Sequence, residues 1–283
     1  MCIAHRGASS QAPENTLRAF ECARTLGADG IELDAQTTRD GIPVVFHDDC
    51  LRRLTGKRGR LSDFSWAELR HLRVGGEAIP SLREALAFAR GRLLVQIEIK
   101  KGARMGPVVK AIRATRTAGG VIVASFERAI LREAAALAPA IPRMLIADPG
   151  PRSSRTPAAV LRLARAAVSL GAAGISLNHR CIDSPRLVEA IHRRGLRLWC
   201  WTVGDRRVIR RLSNWGVDGL IGNDPKKIGA VFQLTPPASR DFSGQLRFLP
   251  PDVILHPLPS DPNDGSPCPD PAGGGRLRPR DLP

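Results

Sequence analysis

Short apolar runs alternate with amphipathic stretches from residue 1 to about residue 234. The runs at 2–5, 30–34, 93–99, 121–124, 143–146, 174–177, 197–201 and 219–221 have the length of strands. Two of them alternate polar and apolar residues with period two, Gly30-Ile31-Glu32-Leu33-Asp34 and Gln96-Ile97-Glu98-Ile99-Lys100, which predicts strands whose polar residues share one face. Between the runs, apolar residues return at helical spacing over 15–26, 82–89, 106–117, 128–137, 157–170, 185–194 and 205–214, with a last helix near 225–232. The first helix follows Ala12-Pro13-Glu14 and stops at Gly27, a start and a stop of the expected chemistry. Eight strands alternating with helices predict parallel βαβ units, and their number suits an α/β fold of the closed (β/α)8 barrel type. A doubly wound open sheet is the alternative. The segment 35–80 is too long for an ordinary βα loop. It reads as an insertion after the second strand, with a hairpin (36–38, turn at Arg39-Asp40-Gly41, 43–47) and a short helix near 65–72. Long insertions at this end of a barrel strand tend to build the active site.

The pattern stops near Leu234. Proline and glycine then dominate, as in Pro236-Pro237, Pro250-Pro251 and Gly273-Gly274-Gly275, and such a segment cannot bury enough surface to offset its ordering entropy. The chain therefore divides into a folded domain over 1–234 and a mostly disordered tail over 235–283, in which Phe242, Leu246, Phe248 and Leu249 are the residues able to dock one short piece.

Composition narrows the classes. No run of about 18 apolar residues predicts a membrane span, and Met1-Cys2-Ile3-Ala4 leads straight into His5 with no room for a signal sequence, so a cytoplasmic location is expected. The six cysteines are scattered, without Cys-x-x-Cys spacing, which argues against a zinc site or a disulfide framework. The net charge of +16 raises the question of nucleic acid. Its arginines fall at helical spacing on solvated faces, as in Arg206, Arg207, Arg210 and Arg211, and only 4% of residues are aromatic, so stacking platforms are missing and no nucleic-acid partner is expected. A positive field would instead steer an anionic small molecule.

The candidate chemistry lies at the C-terminal ends of the predicted strands, where barrel enzymes place their sites. His5 and Arg6 end the first strand, Glu32 and Asp34 the second, Glu98 and Lys100 the third, and Trp201 the seventh. His47 comes from the insertion. Like charges side by side on an otherwise apolar strand are costly unless a cation sits between them. Three carboxylates exceed what Arg6 and Lys100 balance, and hard divalent cations take carboxylate oxygens, so Glu32, Asp34 and Glu98 are expected to hold one divalent cation, Mg²⁺ or Ca²⁺. His5 and His47 at one mouth form a potential acid–base pair. Arg6 offers a fork for phosphate oxygens and Lys100 a point charge. Trp201, and less directly Phe126, would pack against the alcohol moiety. The set points to a small-molecule phosphate ester as substrate and metal-assisted phosphodiester cleavage as reaction. His71, His179, His192 and His256 have no such company.

These residues in this order resemble the glycerophosphodiester phosphodiesterase family. The matching stretches are His5-Arg6-Gly7 with Ala12-Pro13-Glu14-Asn15-Thr16, then Ile31-Glu32-Leu33-Asp34, then Thr38-Arg39-Asp40-Gly41 with Val44-Val45-Phe46-His47-Asp48. Leu54-Thr55-Gly56, Ile79-Pro80-Ser81-Leu82, Ile97-Glu98-Ile99-Lys100 and Trp201-Thr202-Val203 continue the match to about residue 232. The resemblance implies a TIM barrel, a divalent cation on Glu32, Asp34 and Glu98, acid–base work by His5 and His47, and hydrolysis of glycerophosphodiesters such as glycerophosphocholine to an alcohol and glycerol 3-phosphate. Related members cleave lysophospholipids, which would call for transient membrane contact and an apolar rim, for which Phe64 and Trp66 are candidates. A barrel that binds phosphate esters without catalysis is the remaining alternative; no oligomeric state is implied. One stretch departs from the family: where it often has Thr-Asp before a proline, this chain reads Gly222-Asn223-Asp224-Pro225, which puts substrate preference rather than chemistry in question.

Overall fold

The computed structural model describes residues 1–232 and shows a closed barrel of eight parallel strands with helices between them, a TIM barrel. The strands are β1 (Cys2–His5), β2 (Gly30–Thr37), β3 (Leu94–Ile99), β4 (Val121–Ser125), β5 (Arg143–Ala147), β6 (Gly174–Asn178), β7 (Arg197–Trp201) and β8 (Gly219–Gly222). The helices are α1 (Leu17–Thr25), α2 (Leu82–Ala89), α3 (Met105–Thr115), α4 (Arg128–Leu137), α5 (Pro157–Ser169), α6 (Pro185–His192), α7 (Arg206–Asn214) and α8 (Pro225–Phe232). β1 pairs with both β2 and β8, which closes the ring. The proposed tail, with Phe242, Leu246, Phe248 and Leu249, lies outside the described residues. Among the described residues no helix is long and apolar enough to cross a membrane.

Period-two alternation sorts the side chains into two cores. Ile31, Leu33, Val95, Ile97, Leu198 and Cys200 face the helices, while Ile3, Leu94, Ile122, Met144, Ile146, Trp199 and Ile221 fill the barrel. Polar residues on the inward face of β2 and β3 are thereby carried above a packed apolar plug, since a small barrel's interior is a core and not a pore.

The insertion is a third packing unit. β2 runs on past its predicted end and pairs antiparallel with a short strand, Pro43–Val45. The short helix expected near 65–72 is present as a single turn, Trp66–Leu69, while a second one-turn helix at Arg52–Thr55 and a two-stranded ribbon (Arg73–Val74, Glu77–Ala78) are too short for periodicity to register. They enclose Val44, Phe46, Leu51, Leu61, Leu69, Val74 and Ile79. Phe64 and Trp66, both half-buried, pack against this cluster.

The turn after β1 needs its glycine. Gly7 has φ +80°, and a Cβ there would lie 2.7 Å from the backbone carbon of Ala19. Gly7→Ala is expected to destabilise the protein by about 1–3 kcal/mol through left-handed strain and the clash with α1. An unchanged urea midpoint would show that the turn relaxes freely.

Candidate active site

Strand register assembles the site. His5 lies opposite Glu32 across β1 and β2, and Asp34 lies opposite Glu98 across β2 and β3. One oxygen from each of Glu32, Asp34 and Glu98 falls within 4.8 Å of the others. Glu32 and Asp34 are only 3% and 1% exposed.

The chain leaves β1 through two residues that carry left-handed backbone despite having side chains: Arg6 at φ +56° and Asn15 at φ +59°. Such conformations persist only where their surroundings over-determine them. Here the Arg6 N–H donates to Glu32 Oε2 at 3.0 Å, and the Arg6 carbonyl accepts the Asn15 N–H at 2.9 Å. The Asn15 amide in turn brackets Asp34, donating to Oδ2 at 2.8 Å and accepting the Asp34 N–H at 3.3 Å. The sequence pattern places Asn15 inside the first helix. In the structure Thr16 is the N-cap, its hydroxyl accepting the Ala19 N–H, and Asn15 is released to the site.

Charge is unevenly matched. Lys100 Nζ lies 2.9 Å from Asp34 Oδ1 and 2.6 Å from Glu98 Oε1. Arg6 Nε lies 3.3 Å from Asp34 Oδ2, and its Nη1 donates to Glu14 Oε1 at 2.8 Å. Glu32 has no Lys or Arg ion pair among the described residues; His5 Nε2 at 3.9 Å is its one ionisable neighbour of that kind. Burial, followed by the charges of Asp34 and Glu98, accordingly pushes the Glu32 carboxyl well above the usual range. Burial also pushes Asp34 upward, but Lys100 and Arg6 overcome it and hold that carboxyl below its ordinary value. Glu98 is raised by burial and by Asp34, with Lys100 opposing. An oxygen-only donor set with one uncompensated carboxylate fits a hard divalent cation; Lys100 and Arg6 supply the rest of the balance.

Two imidazoles flank the acids. His5 Nδ1 meets Asn223 Oδ1 at 2.7 Å, and burial together with Arg6 lowers the His5 pKa. His47 Nδ1 meets Asp48 Oδ1 at 2.7 Å. Asp48 is held down at about 2, chiefly by hydrogen bonds from Arg53. Arg53 Nε donates to Asp48 at 2.5 Å and its Nη1 to Glu14 at 2.9 Å, so the insertion is tied through Glu14 to Arg6. Glu14, Asn15 and Asp48 lie in motif stretches legible in the sequence, but only their contacts reveal what they hold. Arg53 carries no local signal, and Asn223 stands out only as a departure from the family pattern, with nothing local to connect it to His5.

A cavity of about 600 Å³ opens beside the acids, lined among others by His47, Glu98, Lys100, Ser125, Phe126 and Glu127. Phe126 is 47% exposed, and its ring meets Trp201 edge-on, with centroids 5.8 Å apart at 78°. Phe126 therefore lines the cavity, and Trp201 packs beside it. His192 bonds Asp218 at 2.8 Å, away from these residues; His256 lies outside the described residues.

The chain is similar to known proteins over most of its length. A model of the glycerophosphoryl diester phosphodiesterase family matches residues 5–227. The chain is 36% identical over 242 residues to a glycerophosphodiester phosphodiesterase of Caldanaerobacter subterraneus, covering 81% of this chain and 96% of that protein. It is 30% identical over 251 residues to a glycerophosphodiester phosphodiesterase of Bacillus subtilis, covering 80% and 84%. Among solved structures it is similar to an Oleispira antarctica phosphodiesterase in complex with the product sn-glycerol-3-phosphate, with TM-score 0.71, 27% identity, and 82% and 96% of the two chains covered. A glycerophosphodiester phosphodiesterase from Agrobacterium tumefaciens matches with TM-score 0.71 and 28% identity, covering 81% and 99%.

Proposed function

The chain belongs to the glycerophosphoryl diester phosphodiesterase family, and from that membership we propose that it cleaves glycerophosphodiesters to an alcohol and glycerol 3-phosphate using one divalent cation, Mg²⁺ or Ca²⁺, and the histidine pair His5 and His47. The observation that carries this reading is the buried, unbalanced carboxylate of Glu32, set among Asp34 and Glu98 and next to His5. The Oleispira enzyme's bound product, sn-glycerol-3-phosphate, supports the same product here.

In this reading Glu32, Asp34 and Glu98 hold the cation, which when bound polarises the phosphoryl oxygens. Arg6 and Lys100 are the donors placed to take the phosphate's remaining charge. Each histidine has its Nδ1 engaged by a fixed partner, which leaves Nε2 of each to exchange protons with substrate. One activates the attacking hydroxyl or water, and the other protonates the departing oxygen, which an alkoxide leaving group requires. Phe126 and Trp201 pack against the apolar part of the glycerol or alcohol moiety. The lysolipid alternative would need an apolar rim, and the candidates for it, Phe64 and Trp66, have part of their surface taken up by packing against the insertion's core.

Glycerol 3-phosphate release from glycerophosphocholine tests the metal requirement. Chelation is expected to lower the rate by at least about 100-fold, since polarisation of a phosphoryl oxygen contributes several kcal/mol, and added Mg²⁺ or Ca²⁺ restores it. Full activity in chelator would overturn the metal assignment.

A further inference from the structure

Asn223 stands where this chain departs from the family's Thr-Asp pattern, and the structure sets it against the proposed chemistry rather than against the alcohol end of the site. Its Oδ1 lies 2.7 Å from His5 Nδ1. The backbone that presents it is pinned on both sides. The Ser10 N–H and Ser10 hydroxyl both donate to the Asn223 carbonyl, at 3.1 and 2.9 Å. Before it, Gly222 packs so closely that a Cβ would lie 2.3 Å from the Val203 carbonyl oxygen. After it, Asp224 accepts the Lys227 N–H and starts α8. Two loops, one after β1 and one after β8, therefore fix the distance between an amide and an imidazole 218 residues apart in sequence.

We infer that Asn223 is a positioning residue for His5: its amide oxygen accepts the Nδ1–H, locks the ring, and makes Nε2 the nitrogen that faces the reaction centre. A histidine whose tautomer is left free presents the wrong nitrogen for part of the time, and the partner of the far nitrogen decides which one is presented. The geometry agrees, because Nε2 is the nitrogen turned toward Glu32, at 3.9 Å. His47 receives the same service from Asp48, a carboxylate, at 2.7 Å. The two imidazoles are thus held by acceptors of different charge, a neutral amide and an anion, and a neutral acceptor orients His5 without adding a further negative group beside three carboxylates. This inference rests on the acid–base role proposed for His5.

The test uses Asn223→Leu, similar in size without hydrogen bonding, and Asn223→Asp, which keeps only acceptors. With glycerophosphocholine, Asn223→Leu is expected to lower kcat by about 10–100-fold, the usual cost of losing such an orienting partner, with KM within about twofold because substrate contacts are untouched. Asn223→Asp is expected to keep kcat within about threefold of wild type. Nitrogen-15 spectra of the full chain, recorded without substrate, read the ring directly: the neutral His5 carries its proton on Nδ1 in wild type and in Asn223→Asp, and on both nitrogens in exchange in Asn223→Leu. An unchanged His5 tautomer in Asn223→Leu overturns the inference whatever the rate does. So does equal loss of kcat in the Leu and Asp variants, which would make the amide N–H the group that matters. Retained turnover in His5→Ala is a separate outcome: it removes the proposed role of His5 while the spectra still report on Asn223.

Discussion

His47→Ala is expected to lower kcat for glycerophosphocholine by about 10²–10⁴-fold, the range for loss of a positioned acid or base, while metal binding stays near wild type. The ring touches the cavity, which Glu98 also lines, and is steered by Asp48; its ion pair is with Asp48 and not with the three proposed ligands. Its loss is therefore expected to remove proton transfer while leaving all three carboxylates, and the Lys100 and Arg6 pairs of Asp34 and Glu98, in place. The assay is glycerol 3-phosphate release at saturating substrate, paired with a Mn²⁺ titration of the same preparation. A kcat within about threefold of wild type would remove His47 from the chemistry. Loss of metal binding in parallel with activity would instead make it part of the metal site.

Glu32→Gln is expected to act in the opposite sense on binding and on stability. It removes one oxygen ligand, so metal affinity should fall by more than the roughly 10–100-fold that loss of an outer partner costs. In chelator, the variant should be the more stable protein at neutral pH. The folded Glu32 carboxyl is raised well above its usual value by burial and by the neighbouring acids. A group raised in this way binds its proton more tightly folded than unfolded. Its ionisation therefore weakens the fold as pH climbs from the ordinary glutamate value to the folded one. Glutamine carries no such charge and still accepts the Arg6 N–H that Glu32 Oε2 accepts at 3.0 Å. Removing that ionisation is expected to raise the urea midpoint of the variant above that of wild type. Urea unfolding at pH 7 in chelator measures it, and a variant less stable than wild type would mean that Glu32 is already paired without a metal.

The acidic triad proposed to bind the metal was legible because it needs only local pattern and strand order. Glu32 and Asp34 share a face by the period of a strand, and β3 follows β2 in the ring, so Asp34 and Glu98 fall opposite each other. His5 was legible for the same reason, one strand earlier. The supporting residues were not. Asn15 precedes the first helix by so little that periodicity absorbs it, although its left-handed backbone carries it to Asp34. Arg53 sits in a single helical turn and acts only through Asp48 and Glu14, which no spacing rule connects. Phe64 and Trp66 show the converse. An aromatic pair in a long insertion invites a role at the mouth, and only the insertion's own cluster of buried residues shows that packing takes up part of their surface.

By itself, then, the sequence determined the eight strands alternating with helices, the insertion after the second strand, and the polar residues at the strand ends, because alternation, helical period and glycine or proline stops act over a few residues at a time. Tertiary structure decided how charge is shared among those residues and what holds each imidazole. Lys100 takes Asp34 and Glu98, Arg6 takes Asp34 and Glu14, and Glu32 is left unbalanced. Asn223 reaches His5 only because β8 closes against β1. The physical reason is common to both: ion pairing and hydrogen bonding depend on distances of 3–4 Å between residues far apart in the chain, and closure of the ring is what sets those distances.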